Sequence, residues 1–424
     1  MPFEVFTSLR DELPTFADIA DKGGWGAMRA IDPPITVPAW MSMFTGLDPG
    51  QLGVYGFRNK VRGRYSEYIV FGNDVRVEYP WEKMKLRSIV IGLPPGYPAR
   101  SYEKGIWISD FRTPKGASDW IYPPDLAGEI GDYVFDIEYR TESKEQAWRD
   151  LVKMTERRWE VANMLAKQYN WDVFVLHEIG SDRAHHLFQA CFDPSHPRFE
   201  QLKSSDCADY IPNYYRLLDS LSSKLISTVK NKYNDFNIII LSDHGNQAQK
   251  GVFAVNEWLI EEGLLEVRRS KNFEDIESAD VNWARTKAWA WGGYYSRIFI
   301  NLKDREQQGI VGSEEYYDLI RELKRKLRTL KTPWGYARCD VHEPKTLYRQ
   351  TLGNPPDLML YVDDLKIRIA QTLPGQMWLE ANDRGPDDST HSFNGVIIST
   401  LLDGRRDVYA LDVAGLLTSS LSFH

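Results

Sequence analysis

Five acid and imidazole side chains stand where short apolar runs stop, and one threonine stands where nothing beside it could activate it. The run "FNIIILSDHG" ends in Asp243, His244 and Gly245. An adjacent Asp-His pair offers a cation one carboxylate and one imidazole, and the glycine lets the backbone turn sharply. The run "WDVFVLHEIG" is followed by "SDRAHHLF", in which Asp182 and His186 are four residues apart. On a helix starting near Asp182 that spacing puts both on one face, where they can grip one ion. His185 leaves open which imidazole turns inward. A third segment, "GPDDSTHSFNGVIIS", places His391 just ahead of the last apolar run. Carboxylate oxygens and imidazole nitrogens make a hard-to-borderline donor set that suits Zn²⁺ or Mn²⁺. Each piece also has a plainer reading: a strand-to-turn junction, a solvated helix face, a hydrogen-bonded structural histidine. The conjunction carries the weight, because the chain has only 8 His and three of them lie within a few residues of an aspartate beside a strand end. Thr36, in "IDPPITVPAWMSMFTGLDPG", has no His, Lys or carboxylate in its own segment placed to take its proton. Alone, it reads as a turn residue near a helix start.

The elements that must hold these residues are legible in the hydrophobic pattern. "RSIVIGLP", "WDVFVLHEIG", "FNIIILSDHG", "SRIFINL", "DLMLYV" and "NGVIISTLL" read as strands, several apolar nearly throughout, as strands covered on both faces are. Residues 145–169 and 210–233 repeat apolar side chains at helical spacing, with Leu217, Leu218, Leu221, Leu225 and Val229 in the second. Strands alternating with such helices predict an α/β fold with a mainly parallel sheet, whose functional crevice lies at the carboxyl ends of the strands. The chain reads as a single domain over 1–424. The Gly-, Pro- and aromatic-rich stretches at about 95–143 and 331–386 read as insertions over the sheet edge. Within 288–299, "AWAWGGYYSRIF" reads as core packing ahead of a base-stacking platform.

Composition excludes several classes. A chain of 424 residues with 42% hydrophobic residues and 13% aromatics is globular and long enough for a large core. The net charge of −8, with no basic stripe, argues against a nucleic-acid polymer as partner. The N-terminus lacks the pattern of a secretory signal, and no run of 18 apolar residues predicts a membrane span. Cys191, Cys207 and Cys339 are unevenly spaced without CxxC, which argues against a disulfide framework or a thiolate zinc site and for a reducing, cytoplasmic setting.

The ordered set "PPITVPAWMSMFTGLDPGQLGVYGF", "EIGSDRAHHLFQACFDPSHPRF", "LSDHG" followed by "GVFAVNEWLIEEGLL", "TKAWAWGGYYSRIFINLKDREQQGIV" and "GPDDSTHSFNGVIIS" resembles the type I phosphodiesterase/nucleotide pyrophosphatase branch of the alkaline phosphatase superfamily over nearly the whole chain. The resemblance implies a doubly wound sheet with helices on both faces, a two-metal site, and a threonine nucleophile that is itself a metal ligand. Asp182, His186 and His391 would hold one ion; Asp243, His244 and Thr36 would sit on the other. A divalent cation would then stand in for the base that Thr36 lacks, and in-line attack at phosphorus would give a phospho-threonine intermediate that water hydrolyses. Pro38 at the first helical position would set Thr36 just ahead of a helix running to about Thr45 and ending at Gly46. Arg58 and Asn59, in "GFRNK", are weaker candidates for phosphate contacts.

One departure from the family pattern stands out. Family members begin with a strand that delivers an aspartate to the nucleophile's ion, and this chain begins after that point, so the first strand of the sheet is expected to be absent and its neighbours unpaired in the interior. Asp11, Asp18 and Asp21 are no substitutes, since their segment reads as an amphipathic helix with solvated acids. The expected substrate is a small phosphate ester. Alternatives on the same site are a phosphomutase, a phosphonate hydrolase, or an impaired relic that binds metal or ligand.

Overall fold

The computed structural model describes residues 1–74, 77–269, 271 and 273–421. Contacts cluster into two compact units: Met1–Asp48, Val70–Asn246 and Phe393–His424 form the first, Pro49–Ile69 and Gln247–Ser392 the second. The chain expected as one domain therefore has two centres of packing.

In the first unit the apolar runs become β1 (Gly24–Arg29), β2 (Ser88–Ile91), β3 (Gly105–Ile108), β4 (Ile121–Tyr122), β5 (Val173–Leu176), β6 (Ile239–Leu241) and β7 (Asn394–Ser399). One sheet has the order β4–β3–β2–β5, with β2 parallel to both β3 and β5. The other runs β6–β7–β1 with antiparallel pairing, and Gly404–Arg405 and Val408–Tyr409 lie parallel to β1. The helices that matter here are α1 (Pro14–Lys22), α2 (Thr36–Thr45), α3 (Lys144–Gln168), α4 (Gly180–Phe192) and α5 (Tyr210–Lys230). α3 and α5 are the two periodic stretches of the sequence. They pack together through Trp148 and Tyr210, whose rings stack 4.6 Å apart, and α4 lies against both. Asp11, Asp18 and Asp21 are exposed, as amphipathic patterning requires.

β5 and β6 each end a sheet. Val173 and His177 donate their amides to Arg87 and Ile91 beside β2, so the alternate amides of Phe174 and Leu176 point the other way. Both strands are built of Val, Phe, Ile and Leu, yet both are largely half-exposed, whereas β2 is buried throughout. Between them runs a cavity of about 550 Å³, walled by Trp171 to Ile179 on one side and Asp235 to His244 on the other.

The second unit carries a seven-stranded sheet in the order Ala288–Trp291, Ser296–Ile300, Leu358–Val362, Ile367–Ile369, Gly251–Phe253, Trp378–Leu379, with Cys339–His342 also paired to Leu358–Val362. Its pairing is antiparallel except between Gly251–Phe253 and Ile367–Ile369. Parallel pairing is thus found in the β3–β2–β5 core, beside β1, and between Gly251–Phe253 and Ile367–Ile369. Four residues join Ala288–Trp291 to Ser296–Ile300, enough for a hairpin and too few for a parallel crossover. The stretch 331–386 supplies interior strands of this sheet instead of covering its edge. Trp289, Trp291 and Phe299 are buried in the core, in keeping with the packing reading of 288–299.

The cysteine reading needs correction. Cys191, at the end of α4, is disulfide-bonded to Cys207 in the turn before α5, and Cys339 is free and buried. Spacing could not reveal the pair, because a helix end and a turn 16 residues apart in sequence meet only when α4 packs on α5. Closing a loop of that size stabilises by about 3 kcal/mol through the unfolded chain. Urea titrations with and without a reductant should differ by that amount, and a Cys191→Ala/Cys207→Ala variant should not respond to the reductant.

Candidate functional site

α2 begins at Thr36 itself, with Ile35 extended at the N-cap, two residues earlier than Pro38 suggested. Pro38 falls in the first turn, where its missing amide leaves no helical acceptor unsatisfied. The helix stops at Gly46, whose φ of 72° suits a residue without Cβ. Thr36 is thereby buried at a helix N-terminus.

The first unit brings Thr36, Asp182, His186, Asp243 and His244 to one place. Thr36, Asp182, Asp243 and His244 line the carboxyl-end mouth of the cavity between β5 and β6. Thr36 Oγ1 lies 3.4 Å from His244 Nε2. His244 Nδ1 faces the Gly245 carbonyl at 3.0 Å; a carbonyl only accepts, so Nδ1 donates there and Nε2 is the nitrogen turned to the site. Asp243 Oδ2 is 3.2 Å from that Nε2 yet buried without a hydrogen-bond donor among the described residues. On α4, His186 Nε2 lies 3.3 Å from Asp182 Oδ1, so the four-residue spacing does put both on one face. Asn246 reaches Asp182 Oδ1 at 3.4 Å, tying the α4 pair to the segment after β6.

The electrostatics of this place ask for cations. Burial raises the Asp243 pKa, and the negative charge of Asp182 raises it further against the opposing pull of His244. The Met1 ammonium is also buried here, donates to Ser242 Oγ at 3.0 Å, and has its pKa lowered to about 6 by burial, partly countered by Asp243 and Asp182. Two half-buried carboxylates, two imidazole Nε2 atoms and a hydroxyl, with one carboxylate oxygen lacking a donor, fit a divalent cation.

Four further residues shape the site, and apart from His185 they carried no signal in the sequence. His185 is spent within the core, its two nitrogens held by Gln189 at 2.6 Å and Tyr215 at 2.8 Å, which leaves His186 as the inward imidazole. Arg183 joins Asp136 and also donates to Asp182 Oδ2 at 2.9 Å, fixing which carboxylate oxygen faces His186. Glu178 accepts from Arg158 at 2.6 Å, from Trp159 at 3.0 Å and from the Gly180 amide at 2.8 Å, so it sets the start of α4. His177 is buried edge-on against Trp40.

Burial, assisted by the charge of Arg158, lowers the His177 pKa to about 3 from the usual 6.5. The folded pKa lies below the unfolded one, so the stability this neutral imidazole permits is complete above pH 6.5 and is lost as pH falls toward 3. The slope is about 1.4 kcal/mol per pH unit. Unfolding free energies measured across that window should fall less steeply, by that slope, in His177→Gln.

In the second unit His391 lies buried on the strand Ser389–Ser392. Asn59 is buried there too, its amide donating to the Gly53 carbonyl at 2.7 Å and its Oδ1 accepting from Tyr55. Arg58 is exposed, 3.9 Å from Glu67.

A model of the family described as type I phosphodiesterase / nucleotide pyrophosphatase matches residues 1–387. The chain belongs to that family. It is a hydrolase of the phosphodiesterase/pyrophosphatase type. Its fold is shared with phosphonoacetate hydrolase from Sinorhizobium meliloti 1021, solved with phosphonoformate and with phosphonoacetate, which superposes with a TM-score of 0.63 at 12% identity, covering 97% of this chain and 91% of the other. Murine ectonucleotide pyrophosphatase / phosphodiesterase 5, solved in an inactive form with AMP, gives 0.52 at 11% identity, with coverages of 97% and 90%. No curated sequence matches the family member described here. Among its described residues no helix is long and apolar enough to cross a membrane.

Proposed function

We propose that this family member hydrolyses a small phosphate ester with Thr36 as nucleophile and a phospho-threonine intermediate, at a site holding two divalent cations. The observation that carries the reading is the convergence of Thr36 Oγ1, His244 Nε2 and the donorless Asp243 Oδ2 at the mouth of one cavity. Asp182, His186 and His391 would hold one cation and Asp243, His244 and Thr36 the other, with Zn²⁺ the first choice and Mn²⁺ the second for these donors. When bound, the cations supply Lewis acidity that makes the Thr36 hydroxyl nucleophilic and offsets charge on the phosphoryl oxygens. Thr36 forms the new P–O bond while the ester oxygen leaves from the opposite side with its electron pair. Water then displaces Thr36 from phosphorus. The N-terminus of α2 turns its free amides and positive dipole end toward the anionic group. Arg183 and Asn246 keep Asp182 in register. Arg58 and Asn59 remain substrate-side residues on the strength of the resemblance alone.

The phosphonoacetate hydrolase likeness favours a phosphonate as the second reading, with the same site breaking a P–C bond. The cytoplasmic placement has lost its footing in the cysteines, and the Cys191–Cys207 bond speaks for an oxidising compartment.

Metal analysis combined with turnover of bis-p-nitrophenyl phosphate and of phosphonoacetate tests the reading. Two ions per chain and cleavage of the diester are expected, with His391→Ala retaining one ion. Two undisturbed sites in His391→Ala would remove that residue from the ligand set, and one ion without turnover of either compound would leave a metal-binding relic.

A further inference from the structure

His391 is not only buried; its ring is held flat against another. Tyr294 stacks on it with ring centroids 3.5 Å apart and planes 20° apart. Against the same tyrosine lies the Arg368 guanidinium, Cζ 4.6 Å from the ring centroid, and Arg368 is buried in an ion pair with buried Asp387. The backbone at His391 is pinned as well: Gln247 Nε2 donates to its carbonyl at 2.8 Å and to that of Asp364 at 2.7 Å.

The "WGGYY" motif accounts for the seat of Tyr294. Gly293 exchanges two backbone hydrogen bonds with Ile369, at 3.0 and 2.9 Å, with φ at 135°, in the range where side chains are strained. A Cβ on Gly292 would run into the Ala370 carbonyl. Only a glycine pair lets this hairpin lie so close to the strand that carries Arg368. Trp289 and Trp291 of the same stretch fill the core, whereas Tyr294 gives a ring face to His391, and that face is closed to a substrate base.

We propose that Tyr294, seated by Gly292–Gly293 and backed by Arg368, is a positioning residue that sets the plane of the His391 imidazole. A nitrogen ligand donates in the plane of its ring, so a rotated imidazole aims its lone pair away from the ion it serves. Stacking restricts that rotation without using either ring nitrogen. This inference rests on the reading of His391 as a metal ligand.

The test is Zn²⁺ titration of the full chain against a competing chelator, with thermal unfolding recorded on each variant. Tyr294→Ala should weaken one of the two sites by on the order of 10–100-fold, the cost typical of losing a residue that orients a ligand. Tyr294→Phe, which keeps the ring, should bind as the parent does. Tyr294→Ala added to His391→Ala should weaken nothing further. If Tyr294→Ala does not fold, Tyr294→Leu takes its place. Parent-like affinities in the alanine or leucine variant, with His391→Ala losing an ion, would overturn the inference and leave the ligand reading standing. Equal weakening in Tyr294→Phe and Tyr294→Ala would overturn it too, and full metal binding by His391→Ala would bring down the ligand reading itself.

Discussion

Thr36→Ala is expected to lower phosphodiester turnover by on the order of 10³-fold or more, the scale seen when an acyl or phosphoryl acceptor is deleted. The fold should survive, because among the described residues Thr36 Oγ1 makes only a long contact to His244, and alanine is a better helix former at the start of α2. Metal content should change little, since Asp182, His186, Asp243, His244 and His391 remain. The decisive comparison is with Thr36→Ser, which keeps a hydroxyl at the same reach and should retain measurable turnover and a trapped phospho-enzyme. Rapid quench with labelled diester would show label on the serine variant and none on the alanine variant. Parent-like turnover in Thr36→Ala would take the hydroxyl out of the mechanism.

Arg158→Met should cost 3–5 kcal/mol, the largest stability loss we expect from one substitution, because it strands a buried charge. Arg158 is 3% exposed and Glu178 stays among its partners in the interior, bound to Trp159 and to the Gly180 amide. Burial disfavours the charge of Arg158 and Glu178 restores it, so the guanidinium is held above its ordinary pKa. Removing the cation leaves Glu178 to take a proton or drag the start of α4 toward water, and Asp182 lies in that first turn. Arg158→Met/Glu178→Gln should recover part of the loss, since glutamine can still accept the Gly180 amide without a charge. Urea midpoints of the three proteins would settle it, and a single variant within about 1 kcal/mol of the parent would show the pair to be dispensable.

The element types were readable because they depend on local periodicity. Leu217, Leu218, Leu221, Leu225 and Val229 announce α5 at 3.6-residue spacing, and "NIIIL" announces a strand with no helical alternative. The Asp182–His186 and Asp243–His244 spacings were readable for the same reason, since four residues on a helix or two at a strand end bring side chains together without reference to the rest of the chain. Strand direction was not readable, as the antiparallel second sheet shows: pairing depends on which edges meet, and only short connections such as the four residues between Trp291 and Ser296 constrain it.

By itself, then, the order of residues determined an α/β chain with ligand-type side chains at strand ends and a threonine at a helix start. Only packing decided that His185 serves Gln189 and Tyr215, leaving His186 for the site, that Arg183 fixes Asp182, that Cys191 meets Cys207, and that Tyr294 lies on His391. These are contacts between residues whose spacing along the chain says nothing about their distance in space. They exist because burying apolar faces brings distant segments together, and each buried polar group must then find a partner among whatever neighbours that burial supplies.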